Sequence, residues 1–259
     1  MVDSLRYLKS ALGVRGKNRE FLEANPGFHV PPKSLAFDAY ATPDWEYYHR
    51  SGTHYAEFLK EVMRKHTSDS EAVAVMEWGC GPGRVIRHFP GLVSADATVC
   101  GSDYNPNSIA WCREHIEGVS FSTNELRPPL AHEDGSFSFV YAISVFTHLS
   151  EDSCLEWMDE ISRILRPGGV FFFTTHSEAS ADYLLPEERA IYETHGCCSR
   201  DKVKEGKKMF GSWHHPSYIK ETLMKDWELL DHITGDDFRY LHRQDAWVAR
   251  KAGATRVLS

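Results

Sequence analysis

The residues best suited to chemistry begin at Glu77-Trp78-Gly79-Cys80-Gly81-Pro82-Gly83. Three glycines at alternate positions remove side chains, so a ligand can come close to the main chain and meet the N–H groups of the turn. Asp103 follows about twenty residues on, the separation at which a carboxylate accepts from the hydroxyls of a ribose. The dinucleotide fingerprint G-x-G-x-x-G does not fit this loop cleanly. The third glycine comes one residue early at Gly83, and Arg84 takes the place that the fingerprint keeps small. The spacing disfavours a nicotinamide dinucleotide only mildly. Two histidines, His148 and His176, bring side chains that titrate near neutrality and can take a proton from a hydroxyl. The plainer role for either is to hold a loop carbonyl.

A metal centre is the other chemistry to weigh, because the chain has 14 histidines and six cysteines. His195, Cys197 and Cys198 could be joined by His214 or His215. Adjacent cysteines chelate one ion poorly and no C-x-x-C supports them, so no metal is expected. His214 and His215 read as solvated. Several of the cysteines fall inside apolar segments, as in a reduced cytoplasmic protein.

These groups need a frame. Residues 72–78 (AVAVMEW) are a short apolar run stopped by glycine, the mark of a buried parallel strand. A helix is expected over 83–88, strands over 97–103 and 119–124, and between them a helix over 105–116 with Pro106 in its first turn. A fourth strand spans 137–144. Ser150 caps a helix whose Leu155, Met158, Ile161 and Leu165 form an apolar stripe, ended by Arg166-Pro167-Gly168-Gly169. A fifth strand covers 169–176. Residues 177–215 are polar and irregular and read as a lid. A helix at 216–225 precedes two strands, 227–233 and 244–251, joined closely enough to be antiparallel. At the other end, residues 25–44 carry four prolines and read as an extended arm. Asp44 then caps a helix from 45 to about 65, with Gly52 as a kink or point of close approach. The whole is α/β: a Rossmann-like, seven-stranded sheet with helices on both faces, its last strand antiparallel, plus an N-terminal helical arm (1–70) and a lid (177–215) on the main domain (71–259).

Composition narrows the partners. Hydrophobic residues make 42% of the chain and charged residues 25%, the balance of an ordinary globular protein. No apolar run approaches the roughly 20 residues of a membrane span, so no membrane partner is expected. Twenty-nine bases against 37 acids give a net charge of −8, a poor match to a phosphate backbone, so nucleic acid is not expected either.

The motifs taken together resemble a known family. Residues 75–84, Gly101-Ser102-Asp103, Asn124, 141–149 (YAISVFTHL) and 165–169 (LRPGG) stand in the order and spacing of class I S-adenosylmethionine-dependent methyltransferases, bacterial small-molecule or glycan types in particular. The resemblance implies S-adenosylmethionine as cofactor and a small-molecule or sugar-derivative acceptor, methylated on oxygen rather than nitrogen. It implies that Gly79, Cys80, Gly81 and Gly83 form the bed for the methionine half and that Glu77 holds its amino group. Asp103 takes the ribose, Tyr104 flanks the adenine and Asn124, where the family commonly has Asp, meets the adenine amino group. Ala142 and Ser144 border the sulfonium, and Tyr48, Arg50 and Gly52 close over the carboxylate. His148, then His176, are the candidate bases. The rival readings are an NAD-dependent oxidoreductase on a similar sheet and a cofactor-binding scaffold without turnover.

Overall fold

Period-two alternation along the middle strands decides the architecture. Met76, Trp78, Val140, Ala142, Phe171 and Phe173 are buried on one face of the sheet, and Val75, Phe139, Tyr141, Val170 and Phe172 on the other. A sheet apolar on both faces must be covered on both. Each large side chain so buried contributes about 1.5–3 kcal/mol. The computed structural model describes residues 2–67, 73–200, 203–206 and 210–252. Ala72 at the start of the expected first strand, the expected boundary at 70/71, residues 201–202 and 207–209 of the expected lid, and 253–259 lie outside them.

Strands β1 (Ala74–Trp78), β2 (Thr98–Asp103), β3 (Ser120–Thr123), β4 (Phe137–Ala142) and β5 (Leu165–His176) are parallel in the order β3-β2-β1-β4-β5. Beyond β5 the sheet forks. β9 (Gln244–Lys251) pairs antiparallel with β5 over Val170–His176 and carries β8 (Trp227–Ile233) on its far side. The last strand is therefore inserted against the parallel direction, as its short connection to β8 predicts. At the carboxyl end of β5, His176 also pairs with Trp213 of β7 (Gly211–His214), which forms a hairpin with β6 (Cys197–Arg200).

That hairpin corrects the reading of 177–215 as irregular. The segment contains a 3-10 turn at Glu178–Tyr183, helix α7 (Pro186–His195) and both strands, and its own core of Ala181, Leu184, Tyr192, Cys198 and Trp213. His214 is fully buried there, not solvated, and burial pushes its imidazole down to about 3. Two other expectations also change. After the glycine loop there is no α-helix over 83–88 but a 3-10 turn, Ile86–Gly91, which Pro90, lacking an N–H, keeps from extending as an α-helix. In helix α6 (Glu151–Ile164) the inward face is Cys154, Trp157, Met158, Ile161 and Ile164, while Leu155 is exposed and Leu165 already belongs to β5. Ser150 caps α6 as expected.

The N-terminal segment folds as helices α1 (Val2–Gly13), α2 (Arg15–Ala24), α3 (Lys33–Tyr40) and α4 (Trp45–His66). Helix α3 replaces part of the expected extended arm: Pro31 and Pro32 precede its first turn, where prolines are tolerated. Helix α4 starts at Asp44, whose side chain accepts from the Tyr47 N–H at 2.9 Å. Its buried face of Tyr55, Ala56, Leu59, Val62 and Met63 belongs to the core on one side of the sheet, where Tyr55 meets Phe172 of β5 edge-on at 6.4 Å. Gly52 is a close approach, since a Cβ there would run into the carbonyl oxygen of Arg84. Alanine in a helix interior is ordinarily better than glycine by about 1 kcal/mol. Gly52→Ala should instead destabilise the protein by about 1–3 kcal/mol, read as a lower midpoint of urea unfolding, because a backbone carbonyl cannot step aside.

Candidate active site

A cavity of about 480 Å³ opens at the carboxyl edge of the sheet, where open α/β sheets bind ligands. Its floor is the loop after β1. Gly79 and Cys80 donate their N–H groups to the Ser102 carbonyl at 2.8 and 2.9 Å, and Gly81 donates to Asp103 Oδ2 at 2.8 Å. Gly79, Gly81 and Gly83 all have positive φ, so the turn requires glycine. Asp103 is buried at the end of β2 and its Oδ1 accepts from the Asn105 N–H at 2.8 Å. Burial raises its pKa, and the two N–H groups pull against that rise.

Glu77 points inward from β1. Its Oε2 accepts from the Ile86 N–H at 2.9 Å and the Tyr141 hydroxyl at 3.1 Å. Burial pushes its carboxyl up to about 8, against the attraction of Arg84 and these two hydrogen bonds. Arg84 lies between the loop and the N-terminal helices, 4.9 Å over the ring of Tyr40, with Nη1 donating to Ser51 Oγ at 3.0 Å. Its buried Nε has no hydrogen-bond partner, and neither has Oδ1 of Asn124.

The other wall comes from the end of β4 and the segments after β5. Ser144 is held at a positive φ by Thr174, whose Oγ1 accepts from the Ser144 N–H, and by Gln244, whose Nε2 donates to Ser144 Oγ. His148 Nδ1 lies 2.8 Å from the Phe210 carbonyl. A carbonyl only accepts, so Nδ1 carries the proton and Nε2 is the acceptor nitrogen of the neutral ring. His176 stacks on Trp213 at 5.3 Å, its Nδ1 has no partner, and burial lowers its pKa to about 4, helped by His148. Tyr104 reaches across to donate to the Gly206 carbonyl at 2.6 Å. Leu35, Ala39, Ala41, Tyr47, Ile143 and Leu241 supply apolar lining.

Of the residues singled out in the sequence, Glu77, Gly79, Cys80, Gly81, Asp103, Tyr104, Asn124, Ser144, His148 and His176 line this one cavity. Tyr48, Arg50, Gly52, Gly83 and Ala142 are not among its lining. Tyr48 is buried behind the loop, donating to the Pro82 carbonyl at 2.7 Å, and Arg50 pairs with Glu46 on the surface. Gly52 packs on Arg84, Gly83 on Ile116, and Ala142 in the core. Sequence reasoning missed Arg84 and the α3 wall (Leu35, Asp38, Ala39, Tyr40). The signal for Arg84 was present, a base set directly between the third glycine and the apolar pair Val85-Ile86. Among the described residues no group of three or more His, Cys, Asp or Glu is placed to hold a metal. His195 pairs with Glu151 at 2.9 Å instead.

Comparison with known proteins agrees with this geometry. Residues 75–169 match the methyltransferase domain family, in agreement with the resemblance of the motifs to class I S-adenosylmethionine-dependent methyltransferases. It is 32% identical over 127 residues to a fatty-acid O-methyltransferase of Mycolicibacterium smegmatis, covering 48% of this chain and 44% of that one. It is 28% identical over 148 residues to a probable phthiotriol/phenolphthiotriol dimycocerosates methyltransferase of Mycobacterium ulcerans, covering 55% and 51%. The chain thus spans about half the length of the curated relatives it matches. Among solved structures, an S-adenosylmethionine-dependent methyltransferase of Methanosarcina mazei has the same fold, with a TM-score of 0.56 at 15% identity over 74% of this chain and 98% of that one.

The buried titratable groups give stability opposite dependences on pH. Glu77 is raised on folding, so its contribution is complete below about 4.5 and lost as pH rises through about 8. His176 is lowered, so its contribution is complete above 6.5 and lost as pH falls through about 4. Urea unfolding across pH 5–8 should show wild type losing stability relative to Glu77→Gln as pH rises. Parallel curves would mean that Glu77 is already ionised in the folded protein.

Proposed function

We propose that the chain transfers the methyl group of S-adenosylmethionine to a hydroxyl on a small acceptor with an apolar body. The observation that carries this reading is the cavity itself. It gathers the glycine loop, two buried carboxylates, and an imidazole whose acceptor nitrogen is defined by a hydrogen bond on its other side.

The residues present fit the cofactor. Arg84 Nε and Asn124 Oδ1 are a buried donor and a buried acceptor without protein partners on the cavity lining, and such groups ordinarily have a partner. Arg84 suits the methionine carboxylate, in place of the expected Tyr48, Arg50 and Gly52. Asn124 suits the adenine amino group. Asp103 uses one lone pair of each oxygen on Gly81 and Asn105, which leaves a further acceptor position on each for the ribose hydroxyls. Glu77 supplies the counter-charge for the amino group, and a cation beside it favours its ionised form. When bound, the cofactor supplies a methyl group activated by a sulfonium, ready for in-line displacement.

The protein's remaining task is to place the acceptor and receive its proton. His148 Nε2 accepts the hydroxyl proton, and the Phe210 carbonyl steadies the resulting imidazolium through Nδ1–H. His176 stays neutral at physiological pH and offers an uncharged nitrogen to orient the acceptor. The apolar lining supports an acceptor with an apolar body over a polyhydroxylated sugar. The names of the two curated relatives, one an O-methyltransferase of fatty acids and the other acting on dimycocerosates, support the same choice.

Asp103→Ala should weaken S-adenosylhomocysteine binding about ten- to a hundred-fold in calorimetry, the worth of charge-assisted hydrogen bonds to two hydroxyls. With radiolabelled methyl donor and a panel of hydroxylated apolar acceptors, wild type should transfer label. His148→Gln should be slower by about 10²–10⁴-fold and lose the acid limb of the pH–rate profile. Full activity in His148→Gln would remove it as the base. Binding of S-adenosylhomocysteine without transfer to any acceptor would favour a scaffold.

A further inference from the structure

Helix α1 carries an apolar face that no described residue covers. Leu5, Leu8 and Leu12 recur at the spacing that sets them on one side of a helix, and they are 65%, 53% and 68% exposed. The helix is nonetheless docked, because Tyr7, further round, meets Phe37 of α3 edge-on at 5.4 Å. The leucines therefore face solvent through the way α1 is seated.

Single exposed leucines are ordinary. The charges around these are not. Residues 5–19 contain Arg6, Lys9, Arg15, Lys17 and Arg19 and no acid, in a protein of net charge −8. Lys17 is paired with Asp44 and Glu46, and Arg19 with Glu23. Arg6, Lys9 and Arg15 have no ion pair among the described residues. A second copy laid on this face would set those cations against themselves, and like charges repel. A surface of anionic lipid takes both features, the leucines below the headgroups and the bases among the phosphates.

We propose that α1 is an interfacial helix that docks this protein on anionic lipid. No described helix is long and apolar enough to cross a membrane, and interfacial docking does not ask for that length. Position gives the docking a use. Helix α1 rests on α3, and α3 supplies Leu35, Asp38, Ala39 and Tyr40 to the cavity wall. Docking brings that wall to a surface in which an apolar acceptor dissolves. This consequence rests on the apolar-acceptor reading, whereas the docking itself does not.

Flotation of the full chain with vesicles tests it. The protein should float with mixed phosphatidylserine–phosphatidylcholine vesicles and stay behind with phosphatidylcholine alone. Raising the salt should release it. The double variant Leu8→Glu/Leu12→Glu should bind about tenfold more weakly or worse, and Arg6→Gln should cost roughly fivefold. Both variants should keep wild-type affinity for S-adenosylhomocysteine, so a failure here is separable from a failure of the methyl-transfer reading. Three results would overturn the proposal: no flotation with the anionic vesicles, equal flotation of the double variant, or a wild-type dimer in sedimentation that the double variant abolishes.

Discussion

The site depends on how the loop after β1 is tied to the end of β2. Three N–H groups in succession, from Gly79, Cys80 and Gly81, are held by the Ser102 carbonyl and the Asp103 carboxylate. That arrangement fixes the path of the loop. It forces positive φ at Gly79 and Gly81, and it sets the carboxylate against the cavity with part of its acceptor capacity already used. The outer side of the same loop is braced by the N-terminal helices, through the Tyr48 hydroxyl on Pro82 and the close contact of Gly52 with Arg84. The sheet and the arm therefore meet at this turn, and neither sets its geometry alone.

A consequence is that ionisable groups are concentrated where water is scarce. Glu77, Asp103 and Arg84 are all buried beside one loop. Both carboxylates have their pKa raised by burial. Such groups are costly to a fold that makes no use of them, and perturbed pairs of this kind gather at functional sites. The orphaned Nε of Arg84 and Oδ1 of Asn124 follow the same logic, since each is a polar group left short by the protein and able to be satisfied by a ligand.

Where sequence patterns were strong, they were enough. The alternation in β1, β4 and β5 and the turn after β8 specified a doubly covered sheet with a reversed last strand, and the bounds of β8 and β9 are those of the two strands expected at 227–233 and 244–251. The glycine loop was legible because its backbone conformation demands glycine, and Asp103 because a carboxylate at the end of the second strand stands at the edge to which that loop turns. What could not be read was set by tertiary contact. CCSR and GSWH are four-residue strands without alternation, and they become strands only because His176 offers an edge and Trp213 a core. Prolines 31 and 32 suggested an extended arm, although the same residues are compatible with a helix start. Arg84 looked like a defect in a fingerprint, and only the fold reveals that its side chain is buried beside Glu77. Tyr48 and Gly52 were placed on the cavity when they support the loop from behind.

The central claim is that the glycine loop, Asp103 and Glu77 together form one cofactor bed facing His148. The most direct measurement is a crystal structure with S-adenosylhomocysteine bound. The account predicts ribose hydroxyls on Asp103, the amino acid end between Glu77 and Arg84, the adenine amino group on Asn124, and the sulfur on the side of the cavity that holds Ser144 and His148. Density for the ligand elsewhere, or a ribose turned away from Asp103, would contradict it.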